Sequence, residues 1–447
     1  MLKIFDTLQH KEVELDFQAG QTVNFYSCGP TVYNYSHIGN LRSFIMNDAL
    51  VRTLKANGIK VRWVMNITDI EDKIIKSTIA QYGSDATLEK MRTYTQHFTE
   101  RFLADLRSVG IKTENIEFIN ATDAIPEIQD FIMKLLEQGI AYKADDGSTY
   151  FSIEKYQEKF NDYGALVGEK FLEGKKLGAR IKNDEYEKED LSDFALWKAW
   201  DEADGQIFWD HYELGKGRPG WHIECSAINR LAFKEQPIDI HTGGIDLVFP
   251  HHTNEIAQSQ PLGPFVKHWI HFEHLLVDGK KMSKSLKNFY TLDDIHNKNF
   301  SGLDLRYLFL QSKYNQQTNF TWDALEAARN GRMKLVNAKD ENSAGEEIDT
   351  EFITALNNSF NTAEALSLAH KHKEKISVYD KVLGILSTKF QPKQETPPEV
   401  EELLNQRQLA RDNKDFDLSD QIRDKILDLG FEVKDTAEGQ QATKKGV

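Results

Sequence analysis

Between Val23 and Met65 the order of patterns leaves few folds open to this chain. Val23-Asn24-Phe25-Tyr26 reads as a short strand, and the Gly29-Pro30 break opens a loop that lasts to Asn40. Leu41, Phe44, Ile45 and Ala49 then recur at i, i+3, i+4 and i+8, the spacing of one helix face. Gly58 ends that helix before a second strand, Val61-Arg62-Trp63-Val64-Met65. Strand, tight loop, helix and strand in series predict a βαβ unit. Such a unit sets a loop and a helix N-terminus at the carboxyl end of a parallel sheet, where nucleotide phosphates are held.

The rest of the chain has to be fitted around that unit. A length of 447 residues suggests about three domains at roughly 150 residues each. From about 119 to 218 the chain is charged and irregular, with helical stretches such as Pro126 to Gln138 and a polar run from Asn183 to Asp193, and it reads as an insertion. Strand-like runs return at Ile238-Asp239-Ile240 and Trp269-Ile270-His271, where the interrupted sheet is expected to resume. Thr321 is a candidate cap for a helix starting at Trp322, and a mainly helical region follows to about 390. Gln391 to Pro398 reads as a linker into a small module with two helical patterns. No apolar run reaches the roughly 18 residues of a membrane span. Met1 to Asp6 carries an acid where an export signal would be apolar, so a cytoplasmic location and no membrane partner are expected. The net charge of −15 argues against non-specific coating of nucleic acid, though a specific RNA partner could use local basic surface. Asp278 to Asn288 supplies one candidate, with lysines at 280, 281, 284 and 287 against a single Asp.

Two segments stand out chemically. In the first loop, His37-Ile38-Gly39-Asn40 sits at the helix start, where free backbone N–H groups and the helix dipole favour anions, and Gly39 lets backbone approach a ligand. Taken alone the tetrad is also compatible with an ordinary turn. In the second, Lys281-Met282-Ser283-Lys284-Ser285 follows Gly279 and suits a loop that neutralises phosphate charge, or a solvated lysine run. The chain has two cysteines, Cys28 and Cys225. With His251 and Glu255, placed at i and i+4 after Pro250, they make a mixed S/N/O set suited to tetrahedral zinc. No local CxxC spacing announces that site, and buried free thiols beside a helical His-Glu pair is the other reading.

The two segments resemble the HIGH and KMSKS signatures of class I aminoacyl-tRNA synthetases, with Asn40 in place of the second histidine. An asparagine amide can still donate to a phosphate oxygen. Asn66 to Lys73, Gly217 to Ser226 and His241 to Glu255 resemble the cysteinyl-tRNA synthetases in particular, in order from residue 1 to about 325. The resemblance implies an α/β class I fold: a Rossmann-type parallel sheet with an inserted domain, then an α-helical bundle and a small C-terminal module. The expected boundaries are 1–118 and 219–275 for the two halves of the nucleotide-binding domain, 119–218 for the insertion and 276–322 for a stem-contact region. The bundle is expected at 323–390, the linker at 391–398 and the anticodon-side module at 399–447.

It further implies one Zn2+ per chain on Cys28, Cys225, His251 and Glu255, recognising the substrate thiol, with ATP as substrate and Mg2+ accompanying it. Cysteine would contact Gly29, Thr68 and Trp221. ATP would contact His37, Asn40, Gly243, Gly244, Asp246 and Lys284, with His37, Asn40, Lys281 and Lys284 as the catalytic set. The implied partners are tRNA(Cys), L-cysteine and ATP, and a monomer is expected. Because a hydrophobic pocket discriminates one methylene by only about 1–3 kcal/mol, a metal–sulfur bond is the stronger selector and no editing domain is implied. Ala410 to Phe416, Ser419 to Asp424 and Gly430 to Thr436 resemble the anticodon-side module, but the ending Gly439 to Lys445 lacks the tryptophan usual there. Two competing readings are a cysteine ligase that transfers to a small amine, whose members lack that module, and a non-catalytic zinc- or nucleotide-binding paralogue.

Overall fold

A computed structural model describes residues 1–447 except 169–176, 182–190, 235, 264, 283–287, 340–346, 387–397, 413–414, 437–438 and 445–447. The chain divides into two compact units, Met1–Ile295 with Phe300–Thr388, and His296–Asn299 with Lys389–Val447.

The first unit opens with an antiparallel hairpin, β1 (Lys3–Asp6) and β2 (Lys11–Glu14). The expected βαβ unit follows as β3 (Thr22–Ser27), α1 (Ile38–Ala56) and β4 (Lys60–Ile67). Leu41, Phe44, Ile45 and Ala49 are all buried, and so are the polar Arg42, Asn47, Asp48 and Thr53, so α1 is covered on more than its apolar stripe. Gly58, at φ +78°, supplies the left-handed turn between α1 and β4. Helices α2 (Asp72–Tyr82) and α3 (Leu88–Ser108) lead to β5 (Ile116–Asn120), a strand its sequence pattern did not announce.

The inserted segment contains α4 (Ile125–Glu137), β6 (Ala141–Lys143), β7 (Thr149–Phe151), α5 (Ile153–Phe160), β8 (Leu177–Ile181), β9 (Leu191–Ala199) and β10 (Gly217–Pro219). These strands form their own sheet in the order β10-β9-β7-β6, with β8 against β9. The chain then returns through α6 (Trp221–Phe233), β11 (Ile238–Gly244), α7 (Thr253–Ser259) and β12 (Val266–Phe272). The main sheet is parallel throughout, in the order β12-β11-β3-β4-β5. From β3 the chain moves through α1 to β4 on one side, whereas β11 and β12 lie on the other. The gap between the carboxyl ends of β3 and β11 is therefore the switch point at which parallel sheets hold ligands.

Next come β13 (Leu275–Val277), β14 (Lys280–Lys281), α8 (Leu292–Asn297), α9 (Gly302–Leu310) and β15 (Thr318–Phe320). Their strands form a three-stranded sheet, β14-β13-β15. Thr321 accepts a hydrogen bond from Ala324 N and caps α10 (Trp322–Val336), and α11 (Thr350–Asn357), α12 (Thr362–Lys371) and α13 (Ile376–Leu383) complete the helical part. One apolar core runs from α1 into these helices, joining Leu50 and Leu54 to Phe309, Tyr379 and Leu383. The second unit has α14 (Pro398–Asp412), α15 (Phe416–Asp428) and an antiparallel hairpin of β16 (Phe431–Thr436) and β17 (Gly439–Lys444). Its small core includes Val400, Ile422, Ile426, Phe431 and Val433. All but the last residue of the expected linker lies outside the described residues. Among the described residues no helix is long and apolar enough to cross a membrane.

Candidate active site

Cys28 is the first residue past β3, and its N–H donates to Thr242 O on β11, so it stands at the switch point. Cys225 lies on α6 and Glu255 on α7. His251 belongs to a π-helical turn, Val248–His252, that precedes α7 and contains the non-helical Phe249 and a cis Phe249–Pro250 bond. Pro250 is therefore not in the first turn of a regular helix, as its sequence context suggests, yet His251 still reaches Glu255, with Nε2 to Oε1 at 3.1 Å. The ligand atoms of Cys28, Cys225, His251 and Glu255 all lie within 4.8 Å of one another, and all four residues are buried. Cys28 Sγ is 3.9 Å from Cys225 Sγ, too far for a disulfide, and 3.8 Å from Glu255 Oε1. Ligands of tetrahedral zinc stand about 3.3–3.8 Å apart, given metal–ligand bonds of about 2.0–2.3 Å, so the set fits such an ion.

The electrostatics of the cradle favour a cation. Burial opposes ionisation of Glu255, but His241 and His251 hold it down to about 2. Burial likewise opposes the Cys225 thiolate, yet the hydrogen bond from Cys28 and the adjacent His251 bring it to about 6, while burial and its anionic neighbours push Cys28 up. Against burial, Cys225 and Glu255 raise His251 to about 10. His222, kept neutral by burial and then by His251, meets the Nδ1 of His251 through its own Nδ1 at 3.1 Å. One of these two Nδ1 atoms carries the proton that joins the rings, and the other ring nitrogen of His251, Nε2, faces Glu255.

Histidines that the sequence reading left unassigned crowd the same place. His252 Nε2 is 3.2 Å from Cys28 Sγ and His241 Nε2 is 3.1 Å from Glu255 Oε2, so Cys28, His241, His252 and Glu255 form a second metal-competent group. His252 Nδ1 meets His271 Nε2 at 2.7 Å, and His271 Nδ1 meets Thr7 Oγ1 at 2.7 Å. Their signal in the sequence is only that His222, His241 and His252 fall within the segments singled out above.

The residues expected around the amino acid come together beside the cradle. Gly29 N donates to Asn66 Oδ1 at 2.8 Å, and a Cβ at Gly29 would lie 1.7 Å from Asn66 O, so no side chain fits there. Thr68 Oγ1 accepts from Asn66 Nδ2 at 3.2 Å and donates to Glu224 Oε2 at 2.9 Å. The next residue, Asp69, accepts through its carboxylate from the N–H and hydroxyl of Thr122. Trp221, at the start of α6, stacks on His251 with ring centroids 4.4 Å apart.

At the far end of the same loop His37 caps α1. Its Nδ1 accepts from Asn40 N at 3.1 Å, and Asn40 Oδ1 accepts from His37 N at 3.2 Å, a reciprocal capping box. Burial lowers His37 to about 4 despite nearby Asp246, so the ring is neutral, and with Nδ1 accepting, its proton sits on Nε2. Asn40 spends its Oδ1 on the cap and keeps its NH2 group as the donor. A Cβ at Gly243 would lie 2.6 Å from His252 Cε1 and one at Gly244 would lie 2.4 Å from Asp246 Oδ1, so the carboxyl end of β11, where both stand, admits only glycine without rearrangement. Lys281 ends β14 and is exposed, and the neighbouring Met282 Cε would lie 2.6 Å from a Cβ at Gly39. Lys284 lies outside the described residues.

The family model described as the class I (C) tRNA synthetase catalytic domain matches residues 15–330, and that of the cysteinyl-tRNA ligase anticodon binding domain matches residues 393–442. The cysteine–tRNA ligase of Chlamydia caviae is 39% identical, covering 99% of this chain and 98% of that protein. That of Leptospira interrogans is 39% identical and covers 99% of both chains. Among solved structures, Mycobacterium tuberculosis methionyl-tRNA synthetase in complex with methionyl-adenylate shares the fold, with a TM-score of 0.53 at 12% identity over 87% of this chain and 84% of that one. With a catalytic-domain match over more than half its length and relatives of this identity along nearly all of it, the chain belongs to the cysteine–tRNA ligases, a family of class I aminoacyl-tRNA synthetases.

Proposed function

We propose that the chain activates cysteine with ATP and transfers it to the 3′ end of tRNA(Cys), with one zinc ion held by Cys28, Cys225, His251 and Glu255. The observation that carries the reading is where the cradle stands: Cys28 begins the same loop that ends in the His37 cap of α1, so thiol recognition and phosphate recognition open from one segment. A bound zinc would supply a soft Lewis acid that prefers thiolate to a hydroxyl or a hydrocarbon.

The remaining roles belong to the chain. Gly29, Thr68 and Trp221 border the amino acid, and Gly243, Gly244 and Asp246 hold the adenosine. In the first step a cysteine carboxylate oxygen attacks the α-phosphorus, the bond to the bridging oxygen breaks and pyrophosphate leaves with its electron pair. Neutral His37 donates Nε2–H and Asn40 its amide to phosphate oxygens, Lys281 and Lys284 offset the charge that accumulates, and Mg2+ accompanies the ATP. In the second step a ribose hydroxyl of the tRNA terminus attacks the adenylate carbonyl carbon and passes its proton to an oxygen of the adenylate phosphate, and the bond from that carbon to the phosphate oxygen breaks to release AMP. No protein nucleophile is needed. The match over 393–442 to an anticodon binding domain supports tRNA rather than a small amine as the acceptor.

Transfer of radiolabelled cysteine to purified tRNA, read as acid-precipitable label, tests the proposal. Label on cysteine tRNA is expected. Cysteine-dependent pyrophosphate exchange without label would favour the small-amine ligase, and neither activity from folded, zinc-loaded protein would favour a binding paralogue.

A further inference from the structure

We infer that Arg42 is a positioning residue for the activation step: from the second turn of α1 it fixes where the Lys281 strand stands relative to the His37 cap. The inference rests on the proposed phosphate role of Lys281. Arg42 is buried, 1% exposed, and its hydrogen bonds go to backbone carbonyls: Nη1 to Glu273 O, and Nη2 to Gln316 O at 2.9 Å, Lys313 O at 3.2 Å and Tyr314 O at 3.5 Å. Glu273 lies between the end of β12 and the start of β13, and residues 313–316 lie between α9 and β15. One guanidinium thus holds the entries of both parallel strands of the small sheet, and the third strand of that sheet, β14, carries Lys281. The other side of the lysine segment is held by the first turn of α1. Ile38 N donates to Tyr290 O at 2.9 Å, and the His37 ring meets Phe289 edge-on at 4.9 Å. The first two turns of one helix therefore contact the described residues that flank the lysine segment, on one side through the entries of β13 and β15 and on the other through Phe289 and Tyr290.

The chemistry calls for arginine specifically. Burial depresses Arg42 to about 10, which leaves it a cation at neutral pH. Its planar fork spreads donors over several carbonyls, whereas the single ammonium of lysine is a point donor on a flexible stem. The four cradle residues lie just past β3, on α6, in the turn before α7 and on α7, and none of the carbonyls that Arg42 holds belongs to those segments.

The full-length, zinc-loaded parent, Arg42→Lys and Arg42→Ala would be compared by cysteine-dependent exchange of labelled pyrophosphate into ATP, with metal content and KM for cysteine measured alongside. A displacement of about 1 Å at reacting groups costs roughly 100-fold, so both variants should lose about that much in kcat, with KM for cysteine within about twofold and zinc retained. Guanidinium added to the assay should restore part of the lost kcat in Arg42→Ala and none in Arg42→Lys. A kcat in Arg42→Lys within about threefold of the parent would overturn the inference. So would loss of kcat, cysteine affinity and zinc together without rescue, the signature of general destabilisation. If Arg42→Ala does not fold, Arg42→Lys decides by the same criteria. An inactive parent would instead overturn the proposed function.

Discussion

Replacing Thr68 by valine keeps the shape of a buried side chain and deletes one hydroxyl, which makes the cost calculable. Thr68 and Asn66 are each 2% exposed and Glu224 is fully buried. The hydroxyl sits mid-chain in a relay from Gly29 N to Asn66, to Thr68, to Glu224, so valine removes one donor from a carboxylate and one acceptor from an amide. A hydrogen bond to a charged group contributes about 1.5–3 kcal/mol and a neutral one about 0.5–1.5 kcal/mol, so Thr68→Val should destabilise the protein by about 2–4.5 kcal/mol. Thr68→Ser keeps the hydroxyl, loses a methyl and should cost about 1 kcal/mol. Urea unfolding of parent and variants under one set of conditions, followed by tryptophan fluorescence, reads the difference as a lower midpoint at constant slope. Because the relay ends at Gly29, KM for cysteine should rise in the valine variant and stay near the parent value in the serine one. A valine variant within about 0.5 kcal/mol of the parent would refute the relay as a buried, mutually dependent unit.

Cys28→Ser should abolish both zinc retention and cysteine activation, checked by metal analysis after desalting and by pyrophosphate exchange; zinc at full stoichiometry with normal activation would contradict the cradle. Lys284→Ala should slow adenylate formation by about 100- to 1,000-fold, the usual scale for a lost transition-state donor, while leaving zinc content unchanged. Asp69 gives a pH-dependent test. Burial, only partly offset by its Thr122 hydrogen bonds, raises its carboxyl to about 6, so folding favours the protonated form. Its contribution to stability is then greatest below its ordinary pKa of about 4 and declines as pH rises through about 6. The stability of Asp69→Asn relative to the parent, measured by urea unfolding, should therefore shift in favour of the variant between about pH 4 and 7, and no shift would contradict the raised carboxyl.

The parts legible in the sequence are those set by local pattern. The periodicity of Leu41, Phe44, Ile45 and Ala49 places α1, and the apolar runs near 23, 61, 238 and 269 place four of the five parallel strands. The fifth, β5, is not legible because Ile116-Glu117-Phe118-Ile119-Asn120 is short and its apolar run is broken by Glu117. The capping box at His37 escaped notice because a histidine and an asparagine three residues apart do not carry the usual Ser/Thr and Glu/Gln signature. The histidines around the cradle could not have been grouped from spacing. His222, His241, His252 and His271 come from four different elements and meet only when β11, β12, α6 and the turn before α7 converge. The same holds for Thr68 and Glu224, which join the end of β4 to α6 and have no common period.

The central claim is that the buried cradle binds a metal and that the metal recognises the thiol of cysteine. It is met most directly by replacing zinc with Co2+ and recording the thiolate-to-metal charge-transfer band before and after adding L-cysteine or L-serine. The account predicts one Co2+ per chain, a band of two-thiolate intensity, and a rise toward three-thiolate intensity with cysteine but not with serine. A chain that binds no metal, or a spectrum indifferent to cysteine at concentrations that saturate activation, would contradict it.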